Sequence, residues 1–355
     1  MIPHQRLRSF TQEVFLKIGC DQKDAEQAAS VLISSDLRGI DSHGVARLPG
    51  YVRLWRQGRI KSQALAQVVH ETPSTAVVDG DQGLGLVVAP FAMKVAMHKA
   101  TQVGSGWVSV KNSNHFGIAG YHAMMALDND MIGFAMTNAS PLVAPTFSAE
   151  RLLGTNPIAV AIPALAEPAF VADLATTTVA NGKMEILQRK EESAPLGWAQ
   201  DANGKPSQDA FAVHQGGALL PLGGDRLHGS HKGYCLGAVV DILSAVLSGA
   251  NYGPWVPPFV SFLAPPENPV GEGIGHFFGA LRIDAFRPAQ EFKEHMDQWI
   301  QRFRQSQPVN PEEPVMVPGD PEREAESRRT REGIPLIEPV IKDLNALAAE
   351  LEIEF

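Results

Sequence analysis

Two short apolar runs, PIAVAIP at residues 157–163 and AFVADLA at residues 169–175, stand on either side of a turn. Each is continuous in apolar residues and bounded by proline or polar residues, which predicts buried strands. TAVVDG (75–80), GWVSVKN (106–112) and MIGFAMTN (131–138) read the same way, and IGHFFGALRIDAF (274–286) alternates like a strand. Between them the spacing predicts helices over 84–103, 119–128, 179–190 and 231–248. Strands interleaved with helices predict an α/β domain with a mixed sheet. Before it, residues 5–19 and 23–38 show helical spacing, with Asp21 as an N-cap. After it, helices are predicted over 288–305, 320–332 and 339–351. The expected plan is a discontinuous helical domain, residues 1–74 plus 287–355, around an inserted sheet domain, residues 75–286. The segment 250–271 is rich in proline and glycine and reads as a lid or an interface.

The bulk of the chain narrows the class. It has 355 residues, 44% hydrophobic and 19% charged, enough apolar material for two lobes. Thirty Lys and Arg against 39 Asp and Glu give a net charge of −9, and no basic block interleaves with aromatics. That balance argues against nucleic-acid binding. Cys20 and Cys235 form no disulfide framework or thiolate metal site. MIPHQRLRSF lacks the apolar stretch of a signal peptide, and no apolar run reaches the ~20 residues of a membrane helix. A cytoplasmic protein is expected.

Four stretches carry chemistry. DSHGVARLPGYV, residues 41–52, spaces His43, Arg47 and Tyr51 by four. Pro49 suits a first helical turn, so a helix is expected from Arg47 or Leu48 to about Gln57, with Gly58 ending it. His43 then lies on the turn entering that helix, and all three side chains can face one cleft. Arginine clamps a carboxylate in bidentate fashion, and histidine exchanges a proton near neutral pH. The plain alternative is a capped turn with a surface arginine. KNSNHFGIAGYH (111–122) places His115 in a strand-to-helix loop, where α/β sheets hold ligands, although a lone loop histidine is more often structural. In AFVADLATTTVANGKME, Asp173 ends a strand and can hold a ribose hydroxyl or orient a histidine, while Thr176–Thr178 open a helix. In GSHKGYCLGAVVDILSAVLSG, Ser230 reads as an N-cap before Lys232, which makes either an anion site or an ordinary capped helix. VPGDPERE (317–324) is a further helix start, with Gly319 free to approach a ligand. No P-loop, HExxH or GxSxG motif occurs. The nearest match to a Rossmann fingerprint, GSGWVS (104–109), leads from helix to strand, the wrong order. No metal site is expected.

These motifs, in the order DSHGVARLPGY, NHFGIAGYH, LGTNPIAVAIP, DLATTTVANGK, PLGGDRLHGSHKGYCLGAVVDILSAVLSG, IGHFF, PGDPERE and GIPL, resemble the malate/L-lactate dehydrogenase family of the second type over residues 5–340. The resemblance implies a non-Rossmann mixed-sheet cofactor domain and hydride transfer between NAD or NADP and a small 2-hydroxy or 2-oxo acid. The family also holds reductases of cyclic imino acids, the alternative activity. A cofactor-binding protein without catalysis is a third reading. The resemblance further implies a homodimer and a small-molecule substrate. It maps His115 as the proton acceptor and donor, with His43 as the alternate. Arg47 and Tyr51 map to the substrate pocket. Asp173, Leu174, Ala175, His231, Lys232, Pro318, Gly319 and Asp320 map to the cofactor. The chain departs from the pattern at Ala139, where serine is frequent, at Cys235, where glycine is common, in TFSAERLLG, and in PGD for PGE.

Overall fold

The predicted buried runs pair into one sheet. The computed structural model describes residues 1–355. Its strands are β1 (Gln67–Glu71), β2 (Thr75–Asp79), β3 (Ser105–Ser113), β4 (Met131–Thr137), β5 (Ile158–Ile162), β6 (Phe170–Leu174), β7 (Ala199–Gln200), β8 (Pro206–Ser207), β9 (Ala218–Leu219) and β10 (Ile274–Arg282). Its helices are α1 (His4–Lys17), α2 (Gln22–Leu37), α3 (Leu48–Arg56), α4 (Gly85–Val103), α5 (Ala119–Met124), α6 (Asn181–Lys190), α7 (Ser230–Asp241), α8 (Ala289–Arg304), α9 (Asp320–Glu332) and α10 (Glu338–Leu351). Seven strands form the main sheet in the order β1-β2-β3-β10-β4-β5-β6. Only β2 and β3 pair in parallel, and α4 supplies the crossover such a pair needs. The fold is therefore mixed α/β with a mostly antiparallel sheet.

Alternation along the strands sorts the layers. Val108 and Val110 of β3, Ala135 of β4 and Phe278 of β10 share one buried cluster with Ala92 and Ala96 of α4 and Ala123 of α5. Gly106 and Gly133 let those helices sit close, since a Cβ would stand 1.9 Å from the Ala96 carbonyl oxygen at the first and 2.0 Å from that of Ala123 at the second. On the other face, Ser109 Oγ donates to the Leu243 carbonyl. A second buried cluster joins Leu7 and Phe15 of α1, Leu32 of α2, Leu48 and Tyr51 of α3, and Leu344 and Leu347 of α10. The two ends of the chain thus share a core.

Some boundaries differ from expectation, each for a local reason. Asp21 does cap α2, accepting from the Asp24 N–H at 2.8 Å. Ser230 does not cap α7: Gly229, at φ +94°, holds that position, and Ser230 Oγ pairs with Thr146 Oγ1 at 3.1 Å. Thr176–Thr178 do not open a helix. Their hydroxyls bond the carbonyls of Thr155, Asn156, Val179 and Pro221, which holds them in a loop, and α6 begins at Asn181. The helix expected to Val246 and beyond is α-helical only to Asp241, then continues as a π segment, Ile242–Val246. β1 was not anticipated; it is a largely exposed edge strand with little apolar alternation. β7, β8 and β9 are two residues each, too short to leave a period.

Candidate active site

The turn before α3 is built from the inside out. Asp36, on α2, is 1% exposed and accepts the Val45 N–H at 2.8 Å. Its carboxylate fills the space a Cβ on Gly44 would need, 2.0 Å from Oδ1, so only glycine fits there. Two short 3-10 turns, Asp41–His43 and Val45–Arg47, then lead into α3, with Pro49 in its first turn. Arg329 of α9 bonds both the Asp36 carbonyl, at 2.6 Å, and the Asp41 carboxylate, fastening the turn from outside.

Three of the four residues singled out on the helical lobe and the NHFG loop come together, and Arg47 borders them. The His43 and His115 rings stack with centroids 5.7 Å apart. His43 Nδ1 lies 2.8 Å from Ser42 Oγ. His115 Nδ1 lies 2.6 Å from Tyr51 Oη and 3.3 Å from the Gly117 N–H. Both rings are held by one nitrogen, and each Nε2 has no protein partner. Burial, and the Arg47 cation beside it, push His43 down to about 3. His115 is held well below the usual histidine range by burial, then by His43 and Arg47. Both are neutral at pH 7. Arg47 donates from Nε to the Ser42 carbonyl, and its Nη2 stands 3.5 Å from Glu185 Oε2 on α6. Its outer edge borders open cavities on both sides. Tyr51, expected in the substrate pocket, is fully buried, with its hydroxyl committed to His115.

A residue not singled out from sequence closes this cluster. The Phe259 ring lies 4.6 Å from His115 and 5.2 Å from Tyr51. Its segment is strapped down through its carbonyls: Arg53 donates to Phe259, and Arg59 to Pro257 (2.8 Å) and Pro258. The only signal was the Pro- and Gly-rich texture of 250–271. A single Phe within it has no periodicity to mark it.

The residues matched to a cofactor lie on three segments: the end of β6, the start of α7 and the turn into α9. The Phe259 N–H donates to Ser140 Oγ at 2.9 Å, and the neighbouring Ala139 N–H donates to Asn156 Oδ1 at 3.2 Å. Asn156 Nδ2 donates in turn to the Gly237 carbonyl of α7 at 2.9 Å. Asp173 Oδ2 accepts the Gly120 N–H at 2.8 Å, in the first turn of α5. Burial pushes Asp173 up to about 6. Leu174 is exposed, and Ala175 leads into Thr176, whose carbonyl accepts the Leu222 N–H at 3.0 Å ahead of α7. His231 Nδ1 lies 3.0 Å from Arg226 Nη1; Lys232 is exposed in the first turn of α7 and makes no ion pair. The Pro318 carbonyl accepts the Val171 N–H at 3.1 Å, on the free edge of β6. Gly319, expected free to approach a ligand, is instead crowded by Arg323, since a Cβ would stand 2.6 Å from Nη1. Asp320 is already taken up by Arg304, Arg323 and the Val317 N–H. Those partners hold its carboxyl far below the usual carboxylate range, against the effect of burial.

This arrangement pairs a free imidazole nitrogen with an arginine, and the start of α7 carries an exposed lysine without an ion pair. Such groups can move a proton on a small acid and bind an anionic phosphate. Comparisons agree in kind. The family model described as malate/L-lactate dehydrogenase matches residues 2–345. The chain is 42% identical over 354 residues to a malate dehydrogenase of Pyrococcus abyssi, covering 99% of this chain and 95% of that protein. It is 37% identical over 339 residues to an L-sulfolactate dehydrogenase of Methanocaldococcus jannaschii, covering 96% and 94%. The solved structure of malate dehydrogenase from Pyrococcus horikoshii superposes with a TM-score of 0.89 at 40% identity, covering 99% and 96%.

Proposed function

The chain belongs to the malate/L-lactate dehydrogenase family and is an oxidoreductase of that type, and on that premise we propose that His115 exchanges the substrate proton while Arg47 holds the substrate carboxylate. One observation carries this reading: His115 is neutral, its Nδ1 is occupied by Tyr51, and its Nε2 is free beside an arginine with an open edge. In the oxidising direction the working tautomer carries its proton on Nδ1, donated to Tyr51 Oη at the expense of the longer Gly117 N–H contact. Nε2 is then a lone-pair base for the substrate hydroxyl. In the reducing direction the ring first takes up a proton, and its low basicity makes it a strong acid toward the forming alkoxide. General acid–base transfer of this kind is worth about 10²–10⁴ in rate. His43, with Nδ1 on Ser42, is the alternate for the same step.

A nicotinamide dinucleotide, NAD or NADP, takes or supplies the hydride when bound. Ala139, Asp173–Ala175 and Lys232 would hold such a group. Lys232 is exposed in the first turn of α7 and has no ionic partner, which leaves its charge for a cofactor phosphate. His231 precedes Lys232 on α7, and the Pro318–Gly319 loop lies two residues from Asp173 along β6. Asp320, being ion-paired, shapes that loop. An apolar row on α7 and the π segment, Leu236, Val239, Ile242, Val246 and Leu247, is exposed and suits a homodimer contact. No helix is long and apolar enough to cross a membrane. The lobe division, 1–74 plus 287–355 around 75–286, is part of this reading. The shared core of α1–α3 with α10 supports it. Asp297 of α8, which accepts the N–H groups of residues 165–167, speaks for counting α8 with the sheet.

The test is loss of reduced-nicotinamide absorbance with pyruvate, oxaloacetate, sulfopyruvate, diketogulonate and cyclic imino acids, with ureidoglycolate run in the oxidising direction. Turnover on a 2-oxo acid supports the proposal. Turnover on a cyclic imine alone moves it to C=N reduction. Cofactor binding without any turnover favours a non-catalytic protein.

A further inference from the structure

Asp41 and Arg329 have no part in the chemistry proposed above, yet they meet beside the residues that do. Arg329 lies on α9 and is 8% exposed. Every bond its guanidinium makes goes to the turn before α3. Nη1 donates to the Asp36 carbonyl at 2.6 Å and to Asp41, and Nη2 donates to the Asp41 carboxylate at 3.2 Å. A planar fork on a carboxylate fixes direction as well as distance. Ser42, the next residue, uses that anchorage twice. Its carbonyl accepts Arg47 Nε, and its hydroxyl lies 2.8 Å from His43 Nδ1. Asp41 therefore adjoins the residue that orients both Arg47 and His43. The start of α9 is tied to the sheet. Arg323 Nη1 donates to the Ala169 carbonyl at 2.7 Å, and the Pro318 carbonyl accepts the Val171 N–H at 3.1 Å. Between these fastenings Arg38 pairs with Glu326 at 3.2 Å, and α9 packs so closely that a Cβ on Gly39 would stand 3.2 Å from the Ala325 methyl. From Arg323 to Arg329 is about 9 Å of helix. Thus α9 is a short strut from the strand that ends in Asp173 to the turn that carries Arg47.

We propose that Arg329 and Asp41 are positioning residues for Arg47: their clasp fixes Ser42, Ser42 aims the guanidinium, and α9 sets its separation from the end of β6. The inference rests on the reading of Arg47 as the carboxylate clamp. Neither residue is offered to an anionic substrate, since Arg329 is buried and Asp41 carries the wrong charge. Loosening the clasp frees Ser42 and lets Arg47 turn toward Glu185, 3.5 Å away on α6. Carboxylate binding then weakens, while hydride transfer in the filled site does not.

The experiment measures kcat and KM for oxaloacetate and pyruvate, with reduced-nicotinamide affinity followed by fluorescence. The proteins are wild type, Asp41→Asn, Arg329→Gln, the double variant, and Arg47→Gln as reference. The Asp41 side chain is 47% exposed and asparagine keeps its shape, so that variant tests the clasp even where Arg329→Gln weakens folding. Arg331→Gln is the control, because that arginine lies on α9 and bonds only Ser327. Each clasp variant should raise KM about tenfold, the worth of one hydrogen bond, with kcat and cofactor affinity within a few-fold of wild type. The double variant should be no worse than Arg329→Gln, since both changes remove one shared contact. Arg331→Gln should change nothing. A merely structural pair would lower kcat through loss of folded protein and leave KM alone. That result, or single effects that add in the double variant, overturns the inference. A raised KM in Arg47→Gln with no rise in the clasp variants also overturns it, and leaves the clamp reading standing. An unchanged KM in Arg47→Gln, or no turnover with either acid, removes the clamp reading and the inference together.

Discussion

In the proposed mechanism His115 and Tyr51 act as a pair, joined by the 2.6 Å contact of Tyr51 Oη with His115 Nδ1, and the pair is what the chain hides. His43 and Arg47 were singled out from sequence by their spacing on one turn, and His115 by its place in a strand-to-helix loop. The partner of Tyr51 was not legible, since it lies 64 residues away and only the packing of α3 under the NHFG loop joins them. Asp320 shows the converse. Its helix-start motif is plain in the sequence, but its carboxylate is consumed by arginines 16 residues upstream and 3 residues downstream. If Tyr51 orients His115, Tyr51→Phe lowers kcat about tenfold, the value of one hydrogen bond, and leaves KM for the 2-oxo acid nearly unchanged. It also displaces the pH profile of kcat. A tyrosine that touched substrate instead would raise KM, and steady-state kinetics separate the two.

At the scale of elements, most strands and helices were readable because buried runs and helical spacing persist over five residues or more. What failed was short or exposed: β1 at an edge, β7–β9 of two residues each, and the switch from α7 into a π segment. The strap at 257–259 was visible only as texture, because its order comes from Arg53 and Arg59 rather than from its own residues. Its consequence is measurable. Phe259 helps keep water from His115, and burial is the first cause of that ring's low basicity. Phe259→Ala should therefore raise the His115 pKa toward the usual ~6.5 and move the acid limb of kcat/KM to higher pH. Phe259→Leu, which keeps an apolar cover, should move it less.

The whole molecule joins two cores, one helical and one on the sheet, and the Tyr51–His115 contact links α3 of the first to the loop that follows β3 of the second. That the chain's ends share a core was expected only from the order of elements; Leu344 and Leu347 beside Leu7 and Phe15 supply the contact. This burial sets the response of stability to pH. Asp36 is pushed up to about 8 by burial, above its unfolded value. Between about pH 4 and 8 the folded state therefore binds more protons than the unfolded one, and stability falls as pH rises, by at most about 1.4 kcal/mol per unit. His43 and His276 are pushed down to about 3 and His122 to about 4, chiefly by burial, and His115 is lowered as well. These contribute stability that is present above about pH 6.5 and is lost as pH falls toward those values. Stability should peak near pH 6.5. Denaturant midpoints should drop from pH 6.5 to 8 in the wild-type protein, and that drop should vanish in Asp36→Asn, which keeps an acceptor for the Val45 N–H. An unchanged slope in that variant would remove Asp36 as its source.

Everything proposed for this site depends on His115 moving the proton. The direct measurement is kcat for reduction of the preferred 2-oxo acid by wild-type protein and by His115→Gln, alongside reduced-nicotinamide binding followed by fluorescence. kcat should fall by about 10²–10⁴, with cofactor affinity within a few-fold of wild type. Full turnover in His115→Gln would contradict it and pass the role to His43.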